Sequence, residues 1–71
     1  MAYEYVMLAL RLKDGFSLSD YRQKFGLDFL TERVEKINYY EKLGLMKISG
    51  DRIFLTERGF YLSNTIISDL I

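Results

Sequence analysis

The 71-residue sequence contains no cysteine and no histidine. Disulfides, Cys/His metal sites, thiol nucleophiles and imidazole bases are therefore all excluded. Proline is absent too, and the five glycines are scattered. The chain has neither a Pro-rich linker nor a Gly-rich phosphate loop. Charge of one sign is not in excess, since ten Lys/Arg balance ten Asp/Glu. Nucleic-acid binders commonly carry a basic surplus to neutralise phosphates, and that surplus is missing. No apolar run approaches the ~18 residues of a membrane span, and no signal-peptide pattern is visible. The expectation is a cytoplasmic chain with no membrane partner and no cofactor or metal of its own.

What is present is apolar side chain, at 49% hydrophobic and 15% aromatic. That suffices for one core in a chain near the lower size limit for independent folding. Residues 1–71 are read as a single domain without repeats or linkers.

"YEYVMLALRLK" (3–13) is rich in strong helix formers and reads as a largely buried helix, stopped at Gly15. "SLSDYRQKFG" (17–26) begins with Ser17 as cap and Asp20 in the first turn. Leu18, Tyr21 and Phe25 then share a face, and Gly26 ends the helix. In "DFLTERVEKINYYEKLG" (28–44), Asp28 is the cap and Leu30, Val34, Ile37 and Tyr40 form an amphipathic stripe. Glu32 and Lys36 stand in the favourable acid-then-base order, and Gly44 closes the helix. "LMKISGDRIFL" (45–55) changes period around "SGDR" and reads as two strands joined by a tight turn.

Thr56 then caps a last helix with a stripe of Leu62, Ile66 and Leu70. Gly59 inside it is expected to face the hairpin, where a methyl group would block a close backbone approach. The order of three helices, hairpin and helix predicts a mainly α, α+β fold of winged-helix-like type.

Ser17 is better explained as a cap than as a nucleophile, and Glu4, Asp14, Glu32, Glu35, Glu41 and Asp69 fall on solvated faces. An enzyme contained in this chain is not expected. In a winged helix the third helix enters the major groove. Here it would present Thr31, Glu32, Glu35, Lys36, Asn38 and Lys42, with Arg33 at its edge. That face is of mixed charge, so a DNA-binding regulator domain is the alternative rather than the leading reading. Six tyrosines suit either an interface or a core boundary. Adjacent Tyr39 and Tyr40 must point apart, leaving at least one partly exposed. Arg11, inside an apolar segment, either reaches an acid or faces a partner or anionic ligand.

"MLALRLKDGFSLSDYRQKFG", followed after a helix and hairpin by "LTERGFYLSN", resembles the C-terminal domain of the oxygen-independent coproporphyrinogen III oxidase family, which includes radical-SAM heme chaperones. The matching residues are Met7, Leu10, Arg11, Leu12, Gly15, Phe25, Gly26, Leu55, Thr56, Gly59, Leu62 and Asn64, with "LGLM" between. Ala9 stands where the pattern suggests glycine, and "LSN" looks more like the heme-chaperone branch. The resemblance implies a parent whose N-terminal barrel carries S-adenosylmethionine and a [4Fe–4S] cluster on a CxxxCxxC motif that this chain lacks. It implies an accessory domain packed on that barrel, helping to cover its substrate side, with porphyrin or heme at the shared face. Arg11, Asn64, Tyr39 and Tyr40 are the expected contacts to barrel or ligand. The structural alternatives are Arg11 paired with an acid and Asn64 bonded to backbone. Gly15, Gly26, Thr56 and Gly59 are the structural motif positions.

Overall fold

Helix-forming residues at the start of the chain stop being helical well before their propensity runs out. The computed structural model describes residues 2–71, and its first helix, α1, covers Ala2–Ala9 rather than 3–13. Leu10 is fully buried, whereas Leu8 and Leu12 are 64% and 62% exposed. The helix gives way to turns because the next residues must join the sheet. Gly15 lies six residues past the helix end with φ +62°, and a β-carbon there would stand 1.8 Å from the Ile53 carbonyl oxygen. Its role is thus close approach to a strand, not the capping of α1. Arg52 donates from Nε to the Asp14 carbonyl at 2.9 Å and from Nη2 to the Gly15 carbonyl at 3.2 Å. These bonds satisfy carbonyls that a continued helix would have paired internally.

Strand β1 (Phe16–Ser17) follows, then α2 (Leu18–Phe25), α3 (Phe29–Glu32) and α4 (Val34–Lys42). Strands β2 (Met46–Ser49) and β3 (Arg52–Leu55) precede α5 (Glu57–Tyr61) and α6 (Ser63–Leu70). The sheet is antiparallel in the order β1-β3-β2, so it has three strands where two were expected. Phe16 pairs with Ile53 and Ser17 with Arg52. Between β2 and β3, Ser49 faces Arg52 across a two-residue turn. Gly50 takes its first position at φ +60°, the glycine requirement of a type II′ hairpin.

The caps are local and strong. Ser17 Oγ accepts from the Asp20 amide at 3.2 Å, and Gly26, at φ +67°, donates to the Arg22 carbonyl at 2.7 Å. Asp28 accepts from the Thr31 amide at 3.2 Å and pairs with Arg22 at 2.6 Å. Thr56 accepts from the Gly59 amide at 3.2 Å and donates to the Gly44 carbonyl at 2.7 Å.

Two helices read as continuous are each broken. The first breaks at Arg33, which has φ −130°. Its Nε donates to the Leu70 carbonyl at 2.6 Å, and its guanidinium lies 4.4 Å over the Phe29 ring. The break turns Phe29, Ile37 and Tyr40 inward, while Val34, expected in the stripe, is 51% exposed. Glu32 turns to Arg33 and Lys36 to Asp69, so the expected Glu32–Lys36 pair is not made. The second break, at Leu62, leaves that residue 49% exposed, and α6 buries Ile66, Ile67 and Leu70. Glycine is required just before it, because a β-carbon at Gly59 would stand 1.8 Å from the Leu45 carbonyl oxygen.

The core gathers residues from every element except α5, centred on Val6, Leu10, Tyr21, Phe29, Ile37, Ile53 and Ile66. Tyr5, Phe16, Tyr21, Phe25 and Phe29 form an aromatic group with centroid separations from 5.0 to 6.2 Å. The Tyr21 hydroxyl is buried there with no hydrogen-bond partner among the described residues. The result is a mostly helical small domain with one three-stranded sheet. Among the described residues, no helix is long and apolar enough to cross a membrane.

Candidate functional site

Strand β3 buries Ile53 and Leu55 on one side and turns Phe54 partly outward. Opposite Phe54 stand Phe60 and Tyr61 of α5, which are 52% and 81% exposed. The turn after α1 adds Leu12. These four side chains line an open groove of about 870 Å³, edged by Arg11, Lys13, Arg52, Asp14 and Glu57. Its volume is that of a ligand or peptide-docking cleft.

The turn that forms one wall is clamped from two directions. Arg52 holds the Asp14 and Gly15 carbonyls, and Arg11 donates from Nη2 to Asn64 Oδ1 in the first turn of α6. Arg11 therefore meets a neutral amide rather than an acid, and Asn64 accepts from a side chain rather than bonding backbone. The ion pairs among the described residues are Arg22–Asp28, Arg33–Glu32 and Lys36–Asp69. None of the groove's three cations takes part in one.

Tyr39 and Tyr40 do not line this groove. Tyr39 is 59% exposed on α4 and Tyr40 is buried, the two rings meeting edge to face at 5.4 Å. Tyr40 donates to Asp69 Oδ2 at 2.7 Å. Burial, and then the Asp69 carboxylate, push its hydroxyl up to about 12. The same bond helps to hold the Asp69 carboxyl below its ordinary value. Asn64 and Asp69 share a second, shallower depression with Thr65 and Ser68.

Of the residues expected as contacts, Arg11 lines this groove; Leu12, Arg52, Phe54 and Phe60 line it too and were not among them. The overlooked signal is "FYL" at 60–62, three consecutive apolar residues on a helix that can bury only one face.

Chemically the groove is equipped to bind. The Thr56 hydroxyl is engaged as a cap, and no imidazole or thiol exists to activate another hydroxyl. Nor does the chain fit a cysteine-ligated cluster, because it has no cysteine. Among the described residues no three His, Cys, Asp or Glu side chains gather as a metal site.

Comparison with known families matches the HemN C-terminal domain over residues 1–62. That span takes in the whole groove and stops short of Asn64. No curated protein and no solved structure matches the chain.

Proposed function

The chain belongs to the HemN C-terminal domain family, and from that premise we propose that it is the non-catalytic C-terminal accessory domain of an oxygen-independent coproporphyrinogen III oxidase-like radical-SAM protein. In this reading residues 1–71 form one winged-helix-like domain, with β2–β3 as the wing. The domain works in the cytoplasm, packed on the N-terminal barrel of its parent and helping to cover the barrel's substrate side. S-adenosylmethionine and the iron–sulfur cluster belong to the barrel, as does the chemistry of porphyrin or heme metabolism. Arg11 at the groove and Asn64, which accepts its hydrogen bond from outside the groove, act as one polar contact unit, and Tyr39 offers a second exposed contact on α4.

The observation that carries this reading is the groove of Leu12, Phe54, Phe60 and Tyr61. Large apolar side chains left at one mouth mark a surface made to be covered. The DNA-binding alternative meets an obstacle on α4. Arg33 and Lys36 donate to the carbonyls of Leu70 and Asp69, so they serve α6 rather than a phosphate backbone. Glu32 and Glu35 stay exposed beside them.

Hydrogen exchange on the intact parent and on this 71-residue chain tests the proposal. Amides of residues 12, 54, 60 and 61 are expected to exchange more slowly in the parent. Equal rates at all four would refute packing through this face. Duplex DNA binding that collapses with salt would favour the alternative.

A further inference from the structure

The groove combines an apolar floor with cations that have no acid of their own. Arg11, Lys13 and Arg52 stand at its edge, and none is ion-paired among the described residues. Arg11 gives one Nη2 bond to the neutral Asn64 amide, and Arg52 bonds two backbone carbonyls. A guanidinium has five N–H donors, so each retains donors for a further acceptor. Elsewhere on the molecule Arg22, Arg33 and Lys36 meet carboxylates, while Lys24, Lys42, Lys47 and Arg58 have no ion pair among the described residues either. It is the apolar floor beside the groove's cations that sets them apart. Asp14 and Glu57 also edge the groove. They reduce its positive charge without pairing to these cations.

We infer that the groove recognises a protein segment presenting an apolar side chain beside a carboxylate. The apolar group seats on Leu12, Phe54 and Phe60 while the carboxylate reaches Arg11. This deepens the docking reading by naming the chemistry of the surface that covers the groove. A carboxylate is the matching group because Arg binds it through two parallel N–H donors. The Asn64 bond fixes the guanidinium in place beforehand, which lessens the ordering that binding must impose.

The test uses the 71-residue chain with the blocked peptide acetyl-Leu-Phe-Glu-Leu-amide and its Gln counterpart, at millimolar concentration and low salt. Amide NMR shifts are expected at residues 12, 54, 60 and 61. The Glu peptide should bind about three-fold tighter than the Gln peptide, an advantage that shrinks as salt rises. Arg11→Gln should remove the preference, whereas Arg58→Gln, a change outside the groove, should retain it. Equal binding of the two peptides, shifts confined to another face, or no shifts at all would overturn the inference. If the parent's exchange data show packing at the groove while the two peptides bind alike, this inference fails and the docking proposal stands.

Discussion

The α-carbon of Gly59 faces the carbonyl oxygen of Leu45 so closely that a β-carbon would stand 1.8 Å from it. The same oxygen accepts from the Thr56 amide at 3.0 Å, so it is fixed at the junction of β3 and α5. Leu45 cannot withdraw without weakening that bond. Alanine forms helix better than glycine by about 0.5–1 kcal/mol, so propensity alone predicts that Gly59→Ala stabilises. The collision predicts the opposite sign. Overpacking of this kind costs about 1–3 kcal/mol, and the melting temperature should fall accordingly. A neutral or raised melting temperature would contradict the packing role.

Gly15 and Gly26 separate space from conformation. Both have positive φ, yet Gly26 has nothing within 4 Å of its missing β-carbon, while Gly15 has the Ile53 carbonyl oxygen at 1.8 Å. Left-handed backbone alone costs an ordinary residue about 1–2 kcal/mol. Gly26→Ala should lose about that much in urea denaturation. Gly15→Ala should lose clearly more, since β1 must move away from β3 as well.

These glycines also show what the sequence made legible. Ser17, Asp28 and Thr56 were readable as caps because a cap is set by residues three apart. The hairpin was readable because Gly50 and Asp51 interrupt two apolar runs. The breaks at Arg33 and Leu62 were not, since the groups behind them lie far along the chain: the Leu70 carbonyl for Arg33, and Leu45 packed on Gly59 for the second. Strand β1 is two residues long, too short to show any alternation. Arg11 stood out as a cation among apolar neighbours. Phe54 and Phe60 did not, because an apolar residue is assigned to the core unless its surroundings are known.

Asp51 links the hairpin turn to the start of α2, and acid should loosen that link. Its carboxylate accepts from Ser17 Oγ at 2.5 Å, from Ser19 Oγ at 2.8 Å and from the Ser19 amide at 3.1 Å. The bonds from Ser17 and then Ser19 hold its carboxyl below the ordinary 3.8. A depressed folded-state value means the stabilisation is complete above 3.8 and is lost as pH falls through the lower value. Asp51→Asn should therefore destabilise the domain at neutral pH, and the gap from the parent sequence should narrow below 3.8. Urea midpoints measured at both pH values check this. A constant gap would mean that charge at Asp51 is irrelevant.

Tyr40 makes the corresponding prediction at alkaline pH. Its hydroxyl is pushed up to about 12, first by burial and then by the Asp69 carboxylate that accepts its hydrogen bond. A raised value means this stabilisation is intact below the ordinary 10.0 and disappears as pH climbs towards 12. In an ultraviolet phenolate titration, the Tyr40→Phe variant should lack the highest-pH step seen in the unsubstituted chain. Retention of that step would assign it to another tyrosine.

Tyr61 should separate stability from docking. At 81% exposure it gives the isolated domain little, and surface changes of this sort usually stay within about 0.5 kcal/mol. Tyr61→Ser should therefore leave the melting temperature of the 71-residue chain nearly unchanged. In the intact parent the same ring is proposed to lie against the barrel, where a centrally buried tyrosine contributes strongly. There Tyr61→Ser should speed hydrogen exchange at Phe54 and Phe60 towards the rates of the isolated chain. Gly59→Ala should instead destabilise the domain in either setting, because its contact with Leu45 is internal. If Tyr61→Ser lowers the stability of the isolated chain as much as Gly59→Ala does, the ring belongs to the fold. If it changes exchange in neither setting, the covered surface lies elsewhere.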